Sequence, residues 1–229
     1  MFPTNDLEYQ KYKNFMVEYF PKSPIPNFEA YSNKIFQYSI QNINFIRLIS
    51  KLDSHADQEQ MELYKTFEIL HLRTLYHLPS NDNFIDKIII RALTENILRL
   101  TVRLLNYQHG NINKLSYSEI IEYLEGKGIQ HRYKDFYAIF TNYFGKFSKD
   151  VHGFNIPKIS TQDYLINIRI IPEEKHLLEI SKVYENINKL FIPLFLKETT
   201  IKKTDLPSAE LSKLLTIVGE ENYSIFYER

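Results

Sequence analysis

The spacing of apolar residues constrains this 229-residue chain more than any other feature: they recur at three and four positions almost everywhere, and period-two alternation is nearly absent. A half-buried strand needs that alternation, so the chain reads as all-α. Turn and breaker residues then cut the pattern into helices. The first spans about 6–19 and is closed by Pro21, Pro24 and Pro26, a hinge or short extended link. The second covers about 28–52 and the third about 57–78, opened by acidic residues including Asp57 and Glu59. Pro79-Ser80-Asn81-Asp82 is turn and N-cap chemistry and introduces a helix from about 83 to 108, stopped before Gly110. Ser118 with Glu122 suggests a loose cap for a short helix ending at Gly126-Lys127-Gly128. Further helices are expected over about 133–152, 173–197 with a kink at Pro193, and 208–218. No repeat, low-complexity tract or composition shift divides the chain, so one domain over residues 1–229 is expected, with residues 1–26 as an N-terminal helix and proline-rich link.

Composition narrows the chemistry. The 28 basic and 28 acidic residues cancel, so a polyanion would have to be held by a local patch rather than by a global field. With no cysteine, disulfides, thiolate metal sites and cysteine nucleophiles are excluded. No HExxH and no Asp/Glu/His cluster at ligand spacing is present, so no metal and no cofactor is expected; P-loop, dinucleotide and nucleophile-elbow motifs are also missing. No window has the ~18 uninterrupted apolar residues of a membrane span, and the N-terminus lacks a signal-peptide layout, so a cytoplasmic protein without a membrane partner is the expectation.

Two helices concentrate the informative residues. At ~100° per residue, Ile89, Ile90, Leu93, Ile97, Leu98, Leu100, Leu104 and Leu105 cover more than half the circumference of the 83–108 helix, which places it inside a bundle. On the remaining strip stand Arg91, Glu95, Arg99 and Arg103 at i+4 steps, with surplus positive charge. An i,i+4 ion pair on a solvated strip is the plainer reading of Arg91 and Glu95 and contributes only ~0.2–0.5 kcal/mol. The base-before-acid order is the weaker one for that purpose. On the 133–152 helix, Phe136, Phe140, Tyr143, Phe144, Phe147 and Val151 form an aromatic core face. Beside it run Ala138, Thr141, Gly145, Ser148 and His152, a shallow channel of small side chains ending at an imidazole. Gly145 costs ~1 kcal/mol inside a helix, a penalty usually offset by close approach of another helix or of a ligand. The helix dipole and Lys149 act on His152 in opposite senses. Between Lys127 and His152 there are five Lys or Arg against two Asp, a modest basic patch that includes Lys146 and Lys149.

An internal helix reading Arg91-Ala-Leu-Thr-Glu95-Asn, followed by a later helix ending Ser148-Lys-Asp-Val-His152-Gly, resembles the HEPN superfamily of helical ribonuclease and nucleotide-binding domains. The Arg-x3-Glu and distant His set is similar to that of bacterial anticodon nucleases carrying HEPN domains, over about residues 60–200. The superfamily's usual signature is Arg, four to six residues, then His; here Lys146 stands where that Arg is expected, whereas Arg103 and His109 match the spacing and form a second-choice site.

The resemblance implies a HEPN-like antiparallel bundle with additional N- and C-terminal helices, and a metal-independent endoribonuclease, a toxin or antiviral defence effector acting on tRNA or other structured RNA and leaving 2′,3′-cyclic phosphate ends. In that scheme His152 is the general base or acid, Arg91 clamps the phosphate and Glu95 orients Arg91 or shares a proton with His152. Ser148, Arg99, Lys146 and Lys149 contact substrate. A homodimer through the motif helices, with facing sites, is implied, together with a regulatory protein partner for a toxin. The alternative is a catalytically inactive HEPN-like module that serves dimerisation or a larger defence assembly.

Overall fold

The computed structural model describes residues 6–108, 110–152 and 174–227; within these, nothing is described of the side chains of Asp6, Asp150, Val151, His152 and Asp205. The fold is all-α, and no strand occurs among the described residues. Helices α1 (Asp6–Tyr19), α2 (Glu29–Leu52), α3 (Gln58–His77) and α4 (Asn83–Leu104) follow the apolar periodicity within a few residues of its limits. After them come α5 (Tyr117–Gly126), the single turn α6 (Ile129–Arg132), α7 (Lys134–His152), α8 (Glu174–Asn186), α9 (Ile192–Glu198) and α10 (Ser208–Tyr227). No helix among the described residues is long and apolar enough to cross a membrane.

Local chemistry sets the boundaries, in part differently from expectation. Asp57 caps α3 by accepting from the Gln60 amide at 2.9 Å, and Asp82 caps α4 by accepting from the Phe84 and Ile85 amides. Helix α4 stops at Leu104 rather than near Gln108: Asn106 is left-handed (φ 59°), and side chains take the freed carbonyls, Tyr123 that of Leu105 at 2.9 Å and Arg103 that of Tyr107 at 3.2 Å. The cap of α5 is Ser116, not Ser118; Ser116 and Glu119 form a reciprocal capping box.

The kink expected at Pro193 takes the form of a π-turn over Ile187–Phe191 between α8 and α9. Proline has no amide hydrogen to give the carbonyl four residues back, so the ladder widens there, and the Ile192 amide reaches the Ile187 carbonyl instead. The helix expected to end at Val218 resumes beyond Gly219, whose φ of 79° makes the bend. The proline-rich link is a packed joint: it carries a 3₁₀ turn at Ile25–Asn27 with Ile25 buried, and Tyr9 shares a 2.7 Å hydrogen bond with Ser32 across it.

Helix α4 lies at the centre, packed along α3 and α7 and touching α5, α8 and α9. All eight residues of its apolar arc are buried. Around it Phe45, Phe67, Phe191 and Phe195 interlock edge to face or tilted at 5.4–5.8 Å, and Phe136, Phe140 and Phe147 close the α7 side. Leu93→Ala or Ile97→Ala should therefore cost ~2–5 kcal/mol, read as a lowered urea midpoint; an unchanged midpoint would remove α4 from the core.

A polar seam crosses this core. Buried His71 gives its Nδ1 hydrogen to the Phe67 carbonyl at 2.9 Å, so its Nε2 accepts from the Asn42 amide at 2.9 Å. Burial holds the imidazole neutral and pulls its pKa down to about 4. The unfolded chain binds a proton near pH 6.5 and the native one does not, so this contribution is complete above that pH and is lost as pH falls toward 4. Asp86, buried beside His176 at 3.2 Å, has its carboxyl raised by burial and acts with the opposite sign above its ordinary carboxylate pKa. Between pH 7 and 5 wild-type stability should fall by up to about 1.4 kcal/mol per pH unit through His71. His71→Gln should flatten that slope in urea titrations at each pH; an identical slope would dissociate His71 from the acid sensitivity.

Candidate functional site at the α4–α7 seam

Packing α4 against α7 brings one residue of the polar strip, Arg91, onto one residue of the small-residue run, Ser148. The Arg91 Nε donates to the Ser148 Oγ at 3.0 Å. The guanidinium carbon lies 5.0 Å from the centre of the Phe144 ring, which stacks nearly parallel on Tyr117 at 3.9 Å. Glu95 stands one turn along α4, 3.7 Å from the Arg91 Nη1, with both side chains half-buried. Among the described residues neither Nη1 nor Nη2 of Arg91 makes a hydrogen bond.

Glu95 is held more firmly by Arg99. The Arg99 Nη2 donates to Glu95 at 2.7 Å, in the favourable acid-before-base order. That guanidinium is also spent on backbone, donating to the carbonyls of Ile112 and Leu115 and so tying the loop before α5 to α4. Arg99 is the most buried side chain of the strip and faces its own chain. Arg103, of the second-choice pair, binds Asp57, Gln60 and the Tyr107 carbonyl; its expected companion His109 lies outside the described residues. Lys146 reaches across to Glu179 of α8, and Lys149 is exposed. His152 ends α7, four residues after Ser148, and its side chain lies outside the described residues, as does that of Val151.

Thus Arg91, Glu95 and Ser148 are brought together, whereas Arg99, Lys146 and Arg103 are committed elsewhere. Among the described residues no atom of another element lies within 4 Å of where a Gly145 Cβ would stand, so none of the described helices approaches it; Ala138 is exposed and Thr141 part-buried. Phe144 and Tyr117 are the contributors that spacing did not single out. Phe144 reads as one more core aromatic, and only its apposition to Arg91 gives it a second role. Among the described residues no three His, Asp or Glu side chains converge as a metal site would require.

No protein-family model, curated protein or solved structure matches the chain.

The Arg91–Ser148 contact has a measurable strength. In a double-mutant cycle of Arg91→Ala and Ser148→Ala, we expect a coupling of about 0.5–1.5 kcal/mol, that of a part-buried charge-assisted hydrogen bond. Additive effects on urea stability would mean that the two side chains do not meet.

Proposed function

We propose that the chain is a metal-independent endoribonuclease that acts on tRNA or other structured RNA as a toxin or defence effector. The observation that carries this reading is the 3.0 Å bond from the Arg91 Nε to Ser148. It anchors the guanidinium on the helix that carries position 152 one turn further on, and it leaves Nη2, with Nη1 beside Glu95, able to turn toward the oxygens of a phosphate.

RNA brings its own nucleophile, so the protein need only move protons and neutralise charge. The 2′-hydroxyl attacks the adjacent phosphorus while His152 takes its proton. The P–O5′ bond breaks, the departing 5′ oxygen takes a proton from water, and a 2′,3′-cyclic phosphate remains. Arg91 offers a planar fork to the non-bridging oxygens, and Ser148 holds that fork through Nε. Glu95, itself fixed by Arg99, keeps negative charge beside the guanidinium. Arg99 is thereby a positioning residue in this scheme, not a substrate contact, and Lys149 is an exposed cation on the last turn of α7.

A second reading is favoured by a separate observation: Arg99 and Lys146, two of the cations expected to meet substrate, are neutralised within the chain. It makes the protein an inactive interaction module of a larger assembly.

Purified protein incubated with total tRNA in EDTA, followed by sequencing of the RNA ends, separates the two. The nuclease reading expects cleavage to persist in EDTA with 2′,3′-cyclic phosphate ends, to vanish in His152→Ala, and to fall at least ~10-fold in Arg91→Lys, because an ammonium cannot reproduce the fork. Strict dependence on added magnesium, or full activity in His152→Ala, would refute the mechanism; intact RNA would leave the interaction module.

A further inference from the structure

Helix α3 is apolar on two sides. Its inner side, with Leu63, Phe67, Leu70 and Leu75, belongs to the core. Its outer side exposes Met61 (40%), Ile69 (37%), Leu72 (44%) and Tyr76 (57%). At 100° per residue these four and Lys65 fall within an arc of about 80°, a stripe roughly 22 Å long at 1.5 Å rise per residue. Their steps of four, four, three and four are those of a helix-pairing seam. At one end the stripe broadens, since Tyr76 is braced by Phe15 and Phe20, at 6.4 and 6.1 Å between ring centres, and Tyr19 stands exposed beside Phe15. A preformed apolar seam of this length on an outer helix is unusual for a monomer surface.

The charges flanking the seam select its occupant. Glu62 and Arg73 lie on the same flank, near opposite ends. Among the described residues Glu62 meets no cation, accepting only from Gln58 and Asn113 amides, and neither Arg73 nor Lys65 meets a carboxylate. The opposite flank carries Glu68, which is already paired with Arg47 at 2.6 Å.

We propose that the outer face of α3 pairs antiparallel with the same face of a second copy of this chain, about a two-fold axis level with residues 67 and 68. Antiparallel apposition sets Glu62 against the partner's Arg73, and the symmetry makes that contact twice. The same register interdigitates the seam. The partner's Leu72 falls between Met61 and Lys65, its Ile69 between Lys65 and Ile69, and its Met61 between Leu72 and Tyr76. Lys65 lays its aliphatic stem along the seam and keeps its ammonium at the edge. Parallel pairing would turn this flank toward the partner's opposite flank, the one carrying Glu68, so Glu62 and Arg73 would not meet and the complementary contacts would be lost. This dimer does not rest on the nuclease reading, and it uses a different face from the α4 and α7 pairing that the HEPN resemblance implies.

Light scattering coupled to size exclusion, and sedimentation equilibrium, test it on the full chain. At micromolar concentration the mass should be twice 27.4 kDa. Leu72→Asp should give a monomer. Glu62→Arg and Arg73→Glu should each weaken association by about 10-fold, because two pairs are replaced by repulsions, and the double variant should restore it. A wild-type monomer at every concentration, a dimer indifferent to Leu72→Asp, or a double variant no tighter than either single variant would overturn the proposal. The two charge variants lie on exposed positions, so they keep the test decisive if Leu72→Asp fails to fold.

Discussion

The burial of α4 on nearly every side is the constraint on which the rest of the structure depends. A helix whose apolar arc exceeds half its circumference cannot rest on one neighbour, so α3 and α7 flank it and α5, α8 and α9 complete the enclosure. The charged side chains Arg91, Glu95, Arg99 and Arg103 of α4 are thereby confined to a narrow strip at the boundary between core and solvent, where each finds a partner. Arg99 and Arg103 do so by capping carbonyls and acidic side chains of neighbouring loops, which turns two surface charges into ties between elements. Arg91 alone on the strip is directed onto α7, and the candidate site exists because of that difference in commitment.

The same economy governs the interior. Buried polar side chains in and beside the α2–α3–α8 region bond to one another or to backbone: His71 between Asn42 and the Phe67 carbonyl, Tyr184 on Thr74, and Asp86 on His176 across α4 and α8. A buried neutral imidazole and a buried carboxyl with opposed responses to pH specify how the helices pack while leaving the core sensitive to acid. At the π-turn the missing amide of Pro193 is accommodated locally, and helical backbone continues from α8 through the turn into α9.

Helix existence was legible in the sequence nearly throughout, since the 3.6-residue period is written in Ile, Leu and Phe and the all-α reading needs nothing else. Boundaries were less so. Ser116 outcompetes Ser118 as the α5 cap because Glu119 can return the hydrogen bond, and the early end of α4 depends on Tyr123 and Arg103 reaching carbonyls from outside the local segment. Among the candidate site residues, sequence spacing identified the strip Arg91, Glu95, Arg99 and Arg103 but could not rank them. An arginine's letter and register are the same whether it faces a phosphate or a carbonyl of its own chain.

What the sequence by itself determined is the set of periodicities: helices with one broad apolar face, a central α4 whose apolar arc exceeds half its circumference, and an α7 with an aromatic face beside a run of small residues. Those properties follow from side-chain identity at fixed angular steps and require no partner. What only the tertiary structure decided is which strip meets which face: Arg91 on Ser148 and Phe144, Lys146 drawn off to Glu179, and Gly145 and the outer stripe of α3 left without cover from any described residue. The reason is geometric, because contacts between elements depend on helix rotation and crossing about a shared core, set by the packing of many side chains at once rather than by spacing within any one segment.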